Sequence, residues 1–377
     1  MKIQLLKENL QQAAAVVSRF TAQKAQLPVL AQVAIKAKDG EIYMSGTDLD
    51  IGVQLRVGGK VIEAGEVGVP AKLLLELVGA LPLGTVELAV VKPAMLEVRA
   101  GRVRAKLQGT TLADFPALTG ASEGVALGEF EVERWVGALK KVDYAVSRDE
   151  SRPVLTGVLW ELKRGRLVAT DGYRLSVAEG EGFKAIKEGI VAERLLMSGV
   201  FIREGIKVAE DGGEKKLILN YLAEKKQVQL VAGEALVVGR VLEGEYPKYE
   251  AIVPASFGVE VWVERQEIIQ AVRAAAIFAR DSAHIIRLQF EGKTLTVSAN
   301  APQVGENQIE VEMEPVKAGK VAMAFNSRYL NDFLSHSEAE RVGVGVSEPL
   351  KPGVFWGEKE EGHRHVIMPV RVREGEG

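Results

Sequence analysis

Gly165-Arg166-Leu167-Val168-Ala169-Thr170-Asp171 reads as a turn glycine, an apolar strand and a polar pair that ends it. The same order returns at Gly40-Glu41-Ile42-Tyr43-Met44-Ser45-Gly46-Thr47-Asp48 and at Gly292-Lys293-Thr294-Leu295-Thr296-Val297-Ser298-Ala299-Asn300. From 40 to 165 and from 165 to 292 the steps are 125 and 127 residues, each about a third of the 377-residue chain. The chain therefore reads as three copies of one unit.

Two helix signals keep the same rhythm. Leu10, Ala14 and Val17 open the first copy, Trp135, Leu139, Val142 and Val146 the second, and Ile268, Val272 and Ala276 the third, each set forming one apolar face. A second helix is expected at Val69-Pro70-Ala71-Lys72-Leu73-Leu74, at Val191-Ala192-Glu193-Arg194-Leu195-Leu196 and at Phe325-Asn326-Ser327-Arg328-Tyr329-Leu330. Pro70 suits a first helical position and Asn326 an N-cap. Short alternating runs such as Val86–Val90 and Gln227–Val231 predict half-buried antiparallel strands. The fold class is α+β: three tandem similar domains, each with two helices packed on antiparallel sheet. The expected domains are residues 1–122, 126–253 and 256–377, with linkers at Gly120–Gly124 and Pro254–Gly258.

With 47% hydrophobic and 26% charged residues, the chain can bury a substantial core. Cys is absent, which excludes disulfides, thiolate metal sites and a cysteine nucleophile. Lys7 and Glu8 interrupt the start before a signal-peptide core can form, and no apolar run reaches the length of a membrane span, so a cytoplasmic protein is expected.

Catalytic motifs fail on inspection. Gly292-Lys293-Thr294 resembles the end of a P-loop, but Arg287 stands where that motif needs glycine. Gly180-Glu181-Gly182 lacks the third glycine of a dinucleotide fingerprint, since Ala185 is there. His363 and His365 read as a hydrated strand end rather than a metal pair. Asp48 and Asp171 offer two carboxylates, but their counterpart is Asn300, and turn positions favour accepting backbone hydrogen bonds over acid–base work.

Positive charge, by contrast, is patterned. Arg134, Lys141 and Arg148 recur every seven residues, which places them on one face of a continuous helix. Gln266, Arg273 and Arg280 repeat the spacing, and Gln12 and Arg19 do so more faintly, with Lys24 just beyond. The chain as a whole carries −3. Basic helix faces on a nearly neutral chain would attract a phosphate backbone weakly and without sequence preference.

Leu27-Pro28-Val29-Leu30, Gly46-Thr47-Asp48-Leu49, Arg152-Pro153-Val154-Leu155-Thr156-Gly157, Ala169-Thr170-Asp171-Gly172-Tyr173-Arg174-Leu175, Glu245-Tyr246-Pro247-Lys248-Tyr249 and Val366-Ile367-Met368-Pro369-Val370-Arg371 complete the pattern. Together with the threefold repeat they resemble the bacterial DNA polymerase III β subunits, the replicative sliding clamps, over essentially the whole chain. The resemblance implies a non-enzyme without cofactor or metal. Its expected form is a head-to-tail homodimer closing six similar domains into a ring round double-stranded DNA. As a processivity factor it would tether DNA polymerase III, other polymerases, repair proteins and the clamp loader. The resemblance also implies a client-peptide pocket of Leu155, Thr170, Gly172, Tyr173, Arg174, Leu175, Pro247, Ile252, Asn326, Tyr329, Leu350, Val366, Met368, Pro369 and Val370, in which Arg174 helps orient the peptide. It implies a dimer interface of Arg102, Arg104 and Leu107 against Ile277 and Phe278, with Ala105 where the family has an aromatic. Family DNA contacts fall on Lys24 and Asp149. The alternative is a monomeric peptide-binding scaffold that does not encircle DNA.

Overall fold

The computed structural model describes residues 1–22, 27–118, 124–184, 193–301 and 305–371. The chain forms two compact units, one from residues 1–133 and 200–241, the other from the described residues of 134–199 and 242–371 outside that set.

In the first unit the strands are β1 (Lys2–Leu6), β2 (Gln32–Lys38), β3 (Glu41–Thr47), β4 (Ile51–Val57), β5 (Gly59–Glu63), β6 (Gly65–Pro70), β7 (Thr85–Lys92), β8 (Met95–Ala100), β9 (Val103–Gln108) and β10 (Val125–Glu131). The second unit contributes β11 (Gly157–Glu161), β12 (Arg166–Thr170), β13 (Arg174–Glu179) and β14 (Arg194–Ser198). The chain then returns to the first unit for β15 (Lys216–Leu222), β16 (Gln227–Ala232) and β17 (Ala235–Arg240). Back in the second unit follow β18 (Val259–Glu264), β19 (Ile285–Glu291), β20 (Thr294–Ala301), β21 (Gly305–Lys317), β22 (Lys320–Asn326), β23 (Arg341–Val346), β24 (Gly353–Gly357) and β25 (His363–Ile367). Six α-helices occur among the described residues: α1 (Lys7–Ser18), α2 (Ala71–Ala80), α3 (Val132–Asp143), α4 (Gly199–Gly212), α5 (Arg265–Phe278) and α6 (Ser327–His336).

The first unit holds a five-stranded sheet, β5-β1-β7-β8-β9, and an eight-stranded sheet, β10-β15-β16-β17-β4-β3-β2-β6. The second holds a twelve-stranded sheet, β14-β11-β12-β13-β25-β24-β23-β18-β21-β20-β19-β22. All the named strand pairings among the described residues are antiparallel. Repeats join by strand pairing, β4 with β17 in the first unit and β13 with β25 in the second.

The three quoted glycines all sit in hairpin turns with left-handed backbone, φ +82° at Gly40, +64° at Gly165 and +63° at Gly292. Glycine is needed there because an L side chain crowds its own carbonyl in that region. The expected apolar helix faces are the buried ones: Leu10, Ala14 and Val17, then Trp135, Leu139 and Val142, then Ile268 and Val272. Ala276 is only half-buried. Asn326 caps α6, its side chain accepting from the Arg328 N–H at 2.9 Å. Pro70 precedes α2 as its N-cap rather than occupying the first helical position.

Three expectations need correction. Arg194-Leu195-Leu196 is strand β14, not a helix; its residues alternate against β11, and the second helix of that repeat, α4, starts at Gly199. Asn300 lies inside β20 opposite Glu306, so it is not a turn residue like Asp48 and Asp171. Arg148 is beyond α3, which ends at Asp143. Where the helix ends, tertiary donors take up chain carbonyls: Ser176 Oγ donates to that of Lys141 in the last turn at 2.7 Å, and the Arg174 guanidinium to that of Tyr144, just past the helix, at 2.6 Å. Of the first expected linker, Gly120–Glu123 lies outside the described residues, as do Val191 and Ala192.

The repeated glycines separate backbone strain from crowding. A Cβ at Gly292 meets nothing within 4 Å, whereas one at Gly165 comes to 2.4 Å from the Gly180 carbonyl oxygen. Gly292→Ala should cost about 1 kcal/mol, the strain of a left-handed alanine, and Gly165→Ala about 3 kcal/mol or more. Urea denaturation of both variants checks the order.

Candidate functional site

The site grows from the turn after β12. Thr170 Oγ1 donates to the Arg174 carbonyl at 2.6 Å and accepts from the Gly172 N–H at 3.0 Å. Asp171 Oδ1 accepts from the N–H groups of Tyr173 and Arg174 at 2.9 and 3.0 Å, and Gly172 takes φ +93°. The first repeat builds the same turn, in which Thr47 donates to the Ile51 carbonyl at 2.7 Å and Asp48 accepts from Asp50 and Ile51. Both aspartates thus serve as acceptors for backbone donors, as expected of turn residues.

This turn sends Tyr173 outward, 59% exposed, and Arg174 inward. The Arg174 guanidinium donates through Nε to Asp171 Oδ2 (3.1 Å), through Nη1 to Asp332 Oδ2 (2.5 Å) and through Nη2 to the Tyr144 carbonyl (2.6 Å). Its guanidinium carbon lies 4.6 Å from the centre of the Tyr329 ring. Such a buried, fully directed cation is costly to break, because removing one partner strands the others. Its visible task is to lock the turn to α6 and to the end of α3, rather than to present all its donors to a peptide.

Beneath it lies a polar seam. Tyr144 Oη is 3.1 Å from Ser176 Oγ and 3.2 Å from His365 Nδ1, and the Phe333 ring stacks on His365 with centroids 5.5 Å apart. Burial pushes the Tyr144 hydroxyl up and drives His365 well below the ordinary histidine value, with the Arg174 charge adding to the latter. His365 is therefore neutral and structural, not a hydrated strand end.

On the other side, Arg174 pairs with Ile367 and Leu175 with Val366 across β13 and β25. Beyond β25 the chain is held by the Met368 N–H donating to the Tyr173 carbonyl at 2.9 Å and the Val370 N–H to that of Ala324 at 2.8 Å. Met368 and Tyr173 are exposed beside one another, with Pro369, Val370, Tyr329 and Asn326 half-buried. Leu155, Thr170, Leu175 and Val366 are buried and form the support rather than the accessible wall. Leu175 and Val366 share a cluster with Tyr246 and Tyr249, which anchors the segment bearing exposed Pro247 and Ile252. Leu350 is exposed in the turn between β23 and β24. Sequence reading missed Tyr144 and Asp332; Asp332 follows Tyr329 by three residues, and that shared helix face was the available signal.

The basic stripes are more broken than their spacing predicts. Arg134 is exposed on α3, but Lys141 Nζ lies 3.5 Å from Glu360 and Arg148 is off the helix. Gln266 and Arg273 are exposed on α5, and Arg280 is exposed just past its end. Arg19 bridges Glu204 at 2.9 Å and Asp211 at 3.0 Å on α4. Asp149 accepts from Ser151 and Arg152. Lys24 lies outside the described residues.

At the expected interface, β9 is an edge strand. Arg102 is exposed, and Arg104 donates to Glu97 at 2.8 Å. Leu107 is buried in its own unit, not offered to a partner in the single chain. Ile277 is 55% exposed, and Phe278 packs partly on the core.

Three family models cover almost the whole chain: the N-terminal domain of the DNA polymerase III beta subunit matches residues 1–119, the central domain 130–248 and the C-terminal domain 250–371. The chain belongs to the DNA polymerase III β subunit family. Among its relatives, a beta sliding clamp of Chlamydia pneumoniae is 27% identical over 354 residues, covering 93% of this chain and 94% of the relative. One from Staphylococcus aureus is 25% identical over 357 residues, 92% and 93% of the two chains. The β subunit of Thermotoga maritima superposes with a TM-score of 0.90 at 26% identity, covering 99% of this chain and all of that one. The Bacillus subtilis clamp shares the fold at TM-score 0.92 and 23% identity, covering 99% and 100%. The β subunit family is a family of non-catalytic processivity factors, and this chain has its three-domain α+β clamp fold. No helix among the described residues is long and apolar enough to cross a membrane.

The neutral His365 makes a measurable prediction. Its folded value is depressed, so below the ordinary value of 6.5 the unfolded chain binds a proton that the folded chain refuses. Stability should fall as pH drops below that point, by up to about 1.4 kcal/mol per pH unit from this group. His365→Gln cannot charge and should flatten the slope; equal slopes in urea titrations of both proteins between about pH 7 and 5 would place the proton elsewhere.

Proposed function

We propose that two copies of the chain close head to tail into a ring of six domains, residues 1–122, 126–253 and 256–377 of each, round double-stranded DNA. The observation that carries this reading is an edge left over by the repeat. Each seam pairs the strand after the repeated hairpin with a strand of the next copy: β4 with β17, then β13 with β25. A backbone bond closes each seam alike, from the Arg56 N–H to the Glu234 carbonyl and from the Glu179 N–H to the Gly362 carbonyl, both 3.0 Å. In the third repeat the corresponding strand is the 305–312 part of β21, which pairs on one side with β20 and has no strand on its other side among the described residues. The first repeat's counterpart of β17 is the edge strand β9.

Superposing the pairings sets Val53 with Asn307 and Val237 with Ala105, so the missing seam has Ala105 opposite Asn307, Lys106 opposite Glu306 and Arg104 opposite Gln308. Arg56 and Glu234, ion-paired in the first seam, become Glu310 and Arg102 with their charges exchanged. Basic residues on one edge and acidic ones on the other favour a second copy in this orientation.

The ring would tether DNA polymerase III, other polymerases, repair proteins and the clamp loader through the Tyr173–Met368 pocket, whose exposed apolar rims suit an apolar anchor residue. Retention is then topological. DNA contact falls to exposed cations such as Arg148, Arg273 and Arg280, since Lys141 and Arg19 are drawn to acids of their own chain; Arg134 is exposed on α3 as well.

Because the chain has no cysteine, Lys106→Cys with Glu306→Cys supplies a clean cross-link. On oxidation the pair should yield a covalent closed dimer that stays on circular plasmid after loading and slips off once the plasmid is linearised. A monomer that does not cross-link, or equal retention on both DNAs, would return the chain to a simple peptide-binding scaffold.

Met368→Ala should weaken binding of a polymerase-derived apolar peptide about tenfold or more without changing the melting temperature, as truncating a central anchor does. Unchanged affinity by fluorescence anisotropy would move the pocket elsewhere.

A further inference from the structure

Between the C-terminal end of α5 and the N-terminal end of α6 lies a cavity of about 530 Å³ walled by Arg273, Arg280, His284, Ser327, Arg328 and Asn331. Three guanidinium groups and an imidazole meet there, and no carboxylate lines the wall. Arg280 and Arg328 are exposed and form no ion pair among the described residues. Arg273 is steered by neutral partners, Nε to Asn331 Oδ1 at 3.1 Å and Nη2 to Ser335 Oγ at 3.4 Å, so its charge is not cancelled. Like charges gathered in this way repel, and an anion relieves the repulsion.

The floor supports the same conclusion. Ser327 is 1% exposed, and its hydroxyl has no hydrogen-bond partner. A buried hydroxyl without a partner carries a desolvation cost that an anionic acceptor would offset. The first amides of α6 are already engaged, Ser327 N–H with the His284 carbonyl at 2.8 Å and Arg328 N–H with Asn326, so side chains rather than the helix end would hold the ligand.

We infer that this cavity is a phosphate site and that the phosphate belongs to a nucleic-acid backbone. The inference rests on the DNA-encircling reading above and names one place where the duplex is touched. Arg273 and Arg280 continue the exposed face of α5 that begins at Gln266, so the cavity ends a polar track rather than standing alone. Guanidinium groups suit phosphate oxygens because their paired N–H groups match two oxygens at once. Exposed arginines at the mouth leave room for the neighbouring nucleotides of a polymer.

The test is binding of a labelled 30-base-pair duplex to the full-length protein across a salt series, with light scattering on the same samples. Arg328→Ala should lower affinity about threefold to tenfold and reduce the slope of log K against log salt by about 0.9, one phosphate contact's worth. Ser327→Ala carries no charge change and should lower affinity with the slope unaltered. Wild-type binding with both variants indistinguishable from it overturns the site while leaving the DNA reading intact; no salt-dependent duplex binding by the wild type overturns both. If pyrophosphate raises the melting temperature of the wild type but not of Arg328→Ala, while duplex binding is identical in the two, the occupant is a free anion and the nucleic-acid assignment is wrong. If Arg328→Ala turns the protein monomeric, the cluster faces a second copy and the phosphate site is excluded.

Discussion

Backbone pairing at the seams between repeats is the constraint from which the rest of the molecule follows. A strand edge exposes a row of N–H and C=O groups that need partners, and each repeat covers its edge with the next one's. Two seams in the chain are filled in this way, with the same strand order, the same antiparallel sense and the same closing bond at Arg56 and Glu179. Three repeats in one chain leave one donor edge and one acceptor edge. A heterologous contact between copies then either closes or runs on as a filament, and the charge exchange between the first seam and the edges of β9 and β21 favours the pairing that continues the series.

The pocket is a seam put to a second use. The turns at Thr47-Asp48 and Thr170-Asp171 are built from the same bonds, yet the second is the one at the proposed pocket. The difference traces to the residue four positions after the threonine. In the first repeat it is Ile51, 3% exposed, which fills its position with apolar surface. In the second it is Arg174, whose three donors need Asp171, Asp332 and the Tyr144 carbonyl, drawing α6 and the end of α3 to the turn. The chain leaving β25 is then pinned across the same turn through Tyr173, which leaves Met368 at the surface. One polar residue in place of an apolar one thus gives this seam a rigid, walled surface, on which the proposed client pocket rests.

The fold was largely readable because its signals are local. A left-handed glycine ahead of an alternating strand has few alternatives, and the faces of α1, α3 and α5 follow from residues three and four apart. The misreadings lie where tertiary partners decide. Arg194–Ser198 is a short apolar run that fits helix or strand equally, and pairing with β11 settled it. The seven-residue spacing to Arg148 assumed a longer helix, whereas the chain at the end of α3 is held by Ser176 and Arg174 of β13, distant in sequence. The family resemblance names candidate pocket residues along the chain but does not sort Leu155 and Val366, buried beneath, from Met368 and Tyr173, which face out. Burial is a property of packing, and a linear motif does not carry it.

The same packing bears on how firmly such a ring could grip DNA. Cations counted along the sequence overstate the free charge: Arg19 is bound to two acids of α4, and Lys141 sits beside Glu360, whose carboxyl is pushed up by burial but drawn down further, to about 2, by His363, the Glu338 N–H, Lys141 and Ser337. Each ion pair withdraws one potential phosphate contact, and every contact withdrawn lowers affinity and its salt dependence together. A protein that must move along a duplex gains from that economy, because each tight contact has to break before the next step. Few uncancelled cations, loosely spaced, would let the residence time of such a ring, once closed by pairing at its outer edges, depend on the opening of a seam instead of on the strength of any phosphate contact.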